Sequence, residues 1–196
     1  LALKAQTVAG AGHVLTLPHL GALAAFEVLR ECGCGGAWIK WPNDLYVDNK
    51  KIGGILGEAI FQGQKLAGLV LGIGVNINMQ STELGQIGQP ATSLWAEKGT
   101  QLRVEDFADA FYERFQALYC LAQRSGFSKV YPRWRSAAGR LLGQEVEVIG
   151  HKEVEGKVAD YGEDGSLIVE VEGQGRRVFY SSSLVTGHKH RPKFST

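Results

Sequence analysis

The feature that most constrains this chain is the alternation of strand-forming and turn-forming segments between residues 45 and 78. Three runs, 45–47, 52–61 and 66–78, are rich in Val, Ile and Leu, and are separated by Asp48-Asn49 and Gln62-Gly63-Gln64. Asn, Asp and Gly reverse a chain at low steric cost, so the pattern predicts three consecutive antiparallel strands. The third run is predicted to be a buried strand and not a membrane span. Gly68, Gly72, Gly74 and Asn76 break it well short of the roughly 18 apolar residues a bilayer crossing needs.

The opening "LALKAQ" alternates like a strand already under way, as in a fragment of a longer chain. After the Gly-rich link "AGAGH", Thr16 is the expected cap of a helix with Pro18 in its first turn; Leu20, Leu23, Ala24 and Val28 form its apolar body, which ends near Gly33. Over residues 104–122, Phe107, Ala108, Phe111, Phe115, Leu118 and Ala122 recur at helical spacing opposite Glu105, Asp109, Glu113 and Gln116, which predicts an amphipathic helix. Phe127, Val130, Tyr131 and Trp134 continue that spacing, with Pro132 expected to kink or start a helical segment.

Beyond Gly143 the pattern changes to short alternating runs, "EVEVIG", "EVEGKVADYG", "SLIVEVEG" and "RRVFYSSSLV", divided by Asp164-Gly165 and Gly173-Gln174-Gly175. About 45 residues of this kind predict a small β-barrel, which buries too little surface of its own and should dock on the larger unit. The expected organisation is an α/β domain over 1–139, the barrel over 140–187 and a mobile basic tail over 188–196.

A chain of 196 residues with net charge +1 has no general attraction to nucleic acid or membranes. Cys32, Cys34 and Cys120 are an odd set without a signal peptide, which suits a reducing cytoplasm. Cys32-Gly33-Cys34 is too closely spaced for the usual zinc clamp, and His188 and His190 lie in the basic tail. Neither a Gly-x-Ser-x-Gly elbow nor a P-loop occurs.

The chemistry-bearing residues gather around the first hairpin, in "IKWPNDLYVDNKKIGGILGE". Pro42 fixes its own backbone angle and restricts Trp41, which holds Asn43 and Asp44 at the start of a strand. Alone, "PND" is a turn with local hydrogen bonds, and Lys50 and Lys51 are a solvated hairpin tip. Together with Lys40 before them and Gly53-Gly54 after, they also fit a site in which bare backbone admits a ligand and a lysine holds its anionic group. "VLGIGVNIN" is not a dinucleotide fingerprint, because Ile77 stands where the third glycine belongs. It reads either as a strand whose glycines permit crossing, or as one that admits a ligand and presents the amide of Asn76 or Asn78.

These residues resemble the biotin protein ligases, which attach biotin to a lysine of biotin-dependent carboxylases. "KWPNDLYVDNKKIGGILGE" is similar to that family's Lys-Trp-Pro-Asn-Asp segment and the Lys-hydrophobic-small-Gly-Ile-Leu strand after it; "LGIGVNIN" is similar to its Gly-x-Gly-x-Asn strand. "PATSL" at 90–94 and Arg133-Trp134 recur at the expected places, and the likeness runs from Leu1 to about Val185. It implies an α/β (α+β) fold, the class II aminoacyl-tRNA synthetase/biotin ligase-like catalytic domain with a C-terminal SH3-like β-barrel. It also implies a two-step reaction. Biotin's carboxylate attacks the α-phosphate of ATP, giving biotinyl-5′-AMP; the lysine of a biotin carboxyl carrier protein of acetyl-CoA carboxylase then displaces AMP.

On this resemblance Lys51 contacts the biotin carboxyl and the phosphate, while Asn43 and Asp44 stand beside the adenylate and Asp44 orients or deprotonates the incoming amine. Lys40 belongs to the same wall, Gly53, Gly54 and Gly74 offer bare backbone to biotin or its adenylate, and Asn76 lies near the adenylate and its Mg2+. Cytoplasmic localisation and homodimerisation through a sheet edge go with the family. No nucleic-acid contact is expected from this portion. The family's Gly/Arg-rich biotin loop and the segment that reads the ureido ring lie upstream of Leu1, so an inactive fragment acting as an interaction module is one alternative. A lipoate or octanoate ligase or transferase of the same fold is another.

Overall fold

The computed structural model describes residues 2–4, 11–149 and 153–186, with side chains in the first helix from Thr16 onward. The predicted meander is present and extends by one strand on each side. β1 (Ala2–Lys4), β2 (Ala37–Lys40), β3 (Asp44–Val47), β4 (Lys50–Gln62) and β5 (Lys65–Val75) form an antiparallel sheet in the order β1-β5-β4-β3-β2. β2 was not legible in the sequence pattern.

Helix α1 (Ala11–Glu31) lies across one face of this sheet, and α4 (Val104–Ser125) packs on α1 and buries Phe111, Phe115 and Leu118. Short helices α2 (Ser81–Leu84) and α3 (Leu94–Lys98) follow β5, and α5 (Tyr131–Ala138) has Pro132 in its first turn, as expected of a helical start. Small residues bring α1 close to the strands: Ala22, Ala24 and Ala25 are fully buried, and a β-carbon on Gly21 would lie 3.1 Å from Ile55.

Two expectations are corrected. Thr16 is not the cap of α1, which starts at Ala11 and takes in part of the Gly-rich link; Pro18 lies inside it. A proline there removes one helical donor, but its ring fills the space above Gly57 of β4, where a β-carbon would stand 2.6 Å from Pro18 Cγ. A tertiary contact thus overrides a local stop signal. Nor is β5 buried along its length: Leu69 and Leu71 face the core, whereas Gly72 and Gly74 are exposed on the other face.

The C-terminal runs form a second antiparallel sheet of β6 (Glu145–Ile149), β7 (Val154–Tyr161), β8 (Leu167–Val171), β9 (Gly175–Phe179) and β10 (Ser183–Thr186). Its order is β10-β6-β7-β8-β9, with no pairing of β9 to β10 among the described residues. The chain is thus a mixed α/β fold with two antiparallel sheets. The second sheet docks through hydrogen bonds with backbone acceptors: Trp41 Nε1 donates to Gly165 O at 2.9 Å, Tyr131 OH to Tyr161 O at 2.6 Å and Tyr161 OH to Ala138 O at 2.9 Å. The tail 188–196 lies outside the described residues.

Candidate active site

Strand register brings the predicted residues together. Lys40 pairs with Asp44 across β2 and β3, Asp44 with Gly54 across β3 and β4, and Gly54 with Gly74 across β4 and β5. The turn between β2 and β3 contains a cis Trp41–Pro42 peptide. Asn43 ties it to β4: its carbonyl accepts from Ile55 N at 2.9 Å and its Nδ2 donates to Ile55 O.

In a regular strand Lys51 and Gly54, three residues apart, would face opposite ways. A bulge changes this. Leu45 pairs with Gly53 but Tyr46 with Lys51, so one extra β4 residue is looped out and Lys51 joins Gly54 on the face that carries Asp44. Lys51 Nζ then lies 2.6 Å from Asp44 Oδ1, with both side chains about one-third exposed or less.

The three predicted glycines differ in what their missing side chains allow. A β-carbon on Gly53 would fall 2.4 Å from Gly74 O, so bare backbone there is a condition of strand packing. On Gly54 it would lie 2.9 Å from Asp44 Oδ1, so this glycine makes room for the carboxylate. On Gly74 it would meet nothing nearer than Gly54 O at 4.0 Å, which leaves space above the strand. That space is a cleft of about 520 Å³, bounded by Asn43, Asp44 and Lys51 at one end and floored by Gly54, Gly72 and Gly74. Ile55, Leu56 and Ile73 complete it, and Leu56 is 59% exposed. Leu56 and Gly72 are additions to the predicted set; both follow from period-two alternation, since they share a face with Gly54 and Gly74. Lys40, Gly53 and Asn76 adjoin the cleft through the strands but do not line it.

The "PATSL" segment acts as a brace. Lys51 N donates to Pro90 O and Thr92 N to Lys51 O, each at 2.9 Å. Asn76 Nδ2 donates to Thr92 O at 3.0 Å, and Leu94 N to Asn76 O at 2.9 Å. One segment therefore fixes the backbones of both Lys51 and Asn76. Charge around the cleft is net positive, with two lysines against one carboxylate. Burial pushes the Lys40 ammonium below the ordinary lysine pKa, as does the charge of Lys51, while Asp44 opposes the shift. A second cavity, between β5 and α4, is lined by groups such as Ile73, Val75, Phe107 and Phe111, and offers no lysine, carboxylate or histidine.

The sequence model of the biotin/lipoate A/B protein ligase family matches residues 6–76, which include every lining residue of the cleft. The chain is 30% identical over 147 residues to the bifunctional ligase/repressor BirA of Escherichia coli, covering 75% of this chain and 46% of that protein. It is 28% identical over 184 residues to the biotin--[acetyl-CoA-carboxylase] ligase of Paracoccus denitrificans, covering 91% of this chain and 75% of that one. The structure of the Aquifex aeolicus biotin protein ligase in complex with biotin and ATP superposes with a TM-score of 0.83 at 25% identity, over 95% of this chain and 77% of that one. The chain is thus similar to biotin protein ligases in both sequence and fold. It spans about half the length of the Escherichia coli relative.

The two residues of the Arg133-Trp134 motif have clear structural positions. Trp134 is fully buried at the contact of α5 with the second sheet, its ring centroid 5.2 Å from that of Tyr161. Arg133 bonds Glu27 of α1 at 2.5 Å, an ion pair that ties α5 to α1.

Proposed function

We propose that the protein is a biotin protein ligase, activating biotin with Mg-ATP to biotinyl-5′-AMP and transferring it to a lysine of the biotin carboxyl carrier protein of acetyl-CoA carboxylase. The Lys51–Asp44 pair at the end of a glycine-floored cleft carries this reading. In the first step a biotin carboxylate oxygen attacks the α-phosphorus; the bond to the bridging oxygen breaks and pyrophosphate leaves. Both reactants are anions. A lysine ammonium fixed at the cleft offsets their repulsion and stabilises charge that grows on the phosphate in the transition state.

Lys51 suits this role because its backbone is braced on both sides and, among the described residues, its ammonium is held by Asp44 alone. Once Lys51 turns to the reacting anions, the Asp44 carboxylate is available for the second step. There the carrier lysine's amine attacks the acyl carbon, the anhydride C–O bond breaks to release AMP, and the amine gives up its proton with Asp44 as acceptor. Lys40 adds a second positive charge, Asn43 holds the turn, Gly54 and Gly74 keep the sheet bare where biotin lies, and Gly53 lets the strands beneath pair closely. Asn76 has its amide nitrogen on Thr92 O, which leaves the carbonyl oxygen, the atom a hard cation prefers, for the magnesium of the nucleotide. Residues 140–187 are read as an SH3-like barrel of the kind that family carries, beside a catalytic domain over 1–139, and a sheet edge as a homodimer contact.

The test is formation of biotinyl-adenylate from biotin and Mg-ATP, with lipoate as competing acid. Lys51→Ala should lower the rate by about 10²- to 10³-fold, the usual cost of losing one charge-stabilising donor. Adenylation of lipoate in preference to biotin would transfer the reading to the lipoate branch. An unchanged rate in Lys51→Ala would remove Lys51 from the mechanism.

A further inference from the structure

One turn carries Asn43 and Asp44, and the two residues before them are held from outside the first sheet. Trp41 Nε1 donates to Gly165 O at 2.9 Å, and Pro42 O accepts from Nδ1 of His19 at 3.0 Å. His19 and Gly165 also touch each other. Gly165 has φ +84 in the turn between β7 and β8, and a β-carbon there would lie 2.4 Å from His19 Cδ2 and 2.5 Å from its Nε2. The imidazole is 4% exposed, and its ring centroid lies 4.7 Å from that of Trp134. Trp41, Gly165, His19 and Pro42 thus form a closed circuit joining α1, the second sheet and the site turn.

The chemistry of the circuit fixes the tautomer. A carbonyl only accepts, so Nδ1 carries the proton and Nε2 is bare. Burial lowers the His19 pKa to about 4, which keeps the ring neutral near pH 7. A protonated ring would bring a second N–H against the Gly165 turn.

We infer that His19 is a positioning residue, whose Nδ1–H bond to Pro42 sets the turn that aims Asn43 and Asp44 into the cleft and ties that turn to the second sheet. Its effect on turnover rests on the ligase reading; its effect on the turn does not. Displacing the turn moves the Asp44 carboxylate relative to Lys51 Nζ and moves Asn43 O relative to Ile55 N.

The experiment compares His19→Leu, which fills the space without a donor, with His19→Asn, whose amide can place a donor near the Nδ1 position. The first readout is hydrogen exchange of the Ile55 amide, which donates to Asn43 O, against amides of α4 as a control for global folding. His19→Leu should speed Ile55 exchange about tenfold with α4 unchanged. The second readout is biotinyl-adenylate formation: kcat should fall about ten- to a hundredfold, as for a modest misplacement of reacting groups, with little change in KM for ATP. His19→Asn should recover most of both. If His19→Leu does not fold, His19→Gln, whose amide reaches toward the Nε2 position instead, takes its place. Wild-type Ile55 exchange in the leucine variant, or equal impairment of the asparagine and leucine variants, overturns the inference. Faster exchange in a protein whose wild type makes no adenylate would sink the ligase reading and leave the positioning role standing.

Discussion

The cleft at Lys51 and the joint at His19 adjoin the same turn and are built on opposite rules. Around the cleft, charged groups are partly exposed, the floor is glycine, and the large apolar neighbour Leu56 faces solvent. Around the joint, Trp41, Trp134 and Tyr161 are almost wholly buried, and the polar atoms of Trp41 and Tyr161 end on backbone carbonyls. Groups that must meet a substrate need open space and unsatisfied charge, neither of which favours folding. Their placement must therefore be set by a packed neighbour that takes no part in the chemistry.

The largest expected effect separates the two regions on stability. Trp134→Ala removes a fully buried indole whose Nε1 has no hydrogen-bond partner among the described residues, so its whole contribution is packing. The loss should be about 3–5 kcal/mol in chemical denaturation, as for other buried Trp-to-Ala changes. Lys51→Ala breaks a partly exposed ion pair and should cost no more than about 1 kcal/mol, although it lowers adenylation steeply. Comparable losses of stability in the two variants would erase the distinction.

Next comes the pH dependence of the joint. His19 takes up a proton near pH 6.5 when unfolded but only near pH 4 when folded. Between those values the unfolded chain binds more protons than the native one, so stability falls as pH drops. The contribution is fully present above about pH 6.5 and is lost progressively down to about pH 4. For a group this buried it is on the order of 3 kcal/mol. Denaturation midpoints between pH 7 and 4 should therefore fall more steeply in the wild type than in His19→Asn. Parallel curves would mean that the ring is not held neutral.

The same contrast explains what the sequence disclosed. The meander, the amphipathic helix and the Lys-Asp-Gly cluster were legible because each depends on spacing within a few tens of residues. The ion pair of Lys51 with Asp44 was not, since it requires the bulge that puts Lys51 and Gly54 on one face, and nothing in "KKIGGIL" marks where that bulge falls. The four residues of β2 are too short to show an alternation of their own. The start of α1 was misplaced because Pro18 is accommodated by Gly57, a residue of another element. His19 went unnoticed for the strongest form of that reason: its partners are Pro42, Trp134 and Gly165, and a lone histidine on an apolar helix carries no local sign of them.

The smallest expected effect on stability is also the sharpest probe of the cleft. Gly53 and Gly74 are near neighbours on paired strands, yet an added methyl meets backbone 2.4 Å away in one case and nothing nearer than 4.0 Å in the other. Gly53→Ala forces the strands apart and should cost about 1–3 kcal/mol, as overpacking does. Gly74→Ala should change stability by less than about 1 kcal/mol, the reduced freedom of the unfolded chain favouring a small gain. If biotin lies on the floor of the cleft, that methyl occupies its place, and KM for biotin should rise while the fold is untouched. An alanine at position 74 that altered neither stability nor KM would mean that the bare face of β5 serves strand geometry alone, and biotin would have to be sought elsewhere on the sheet.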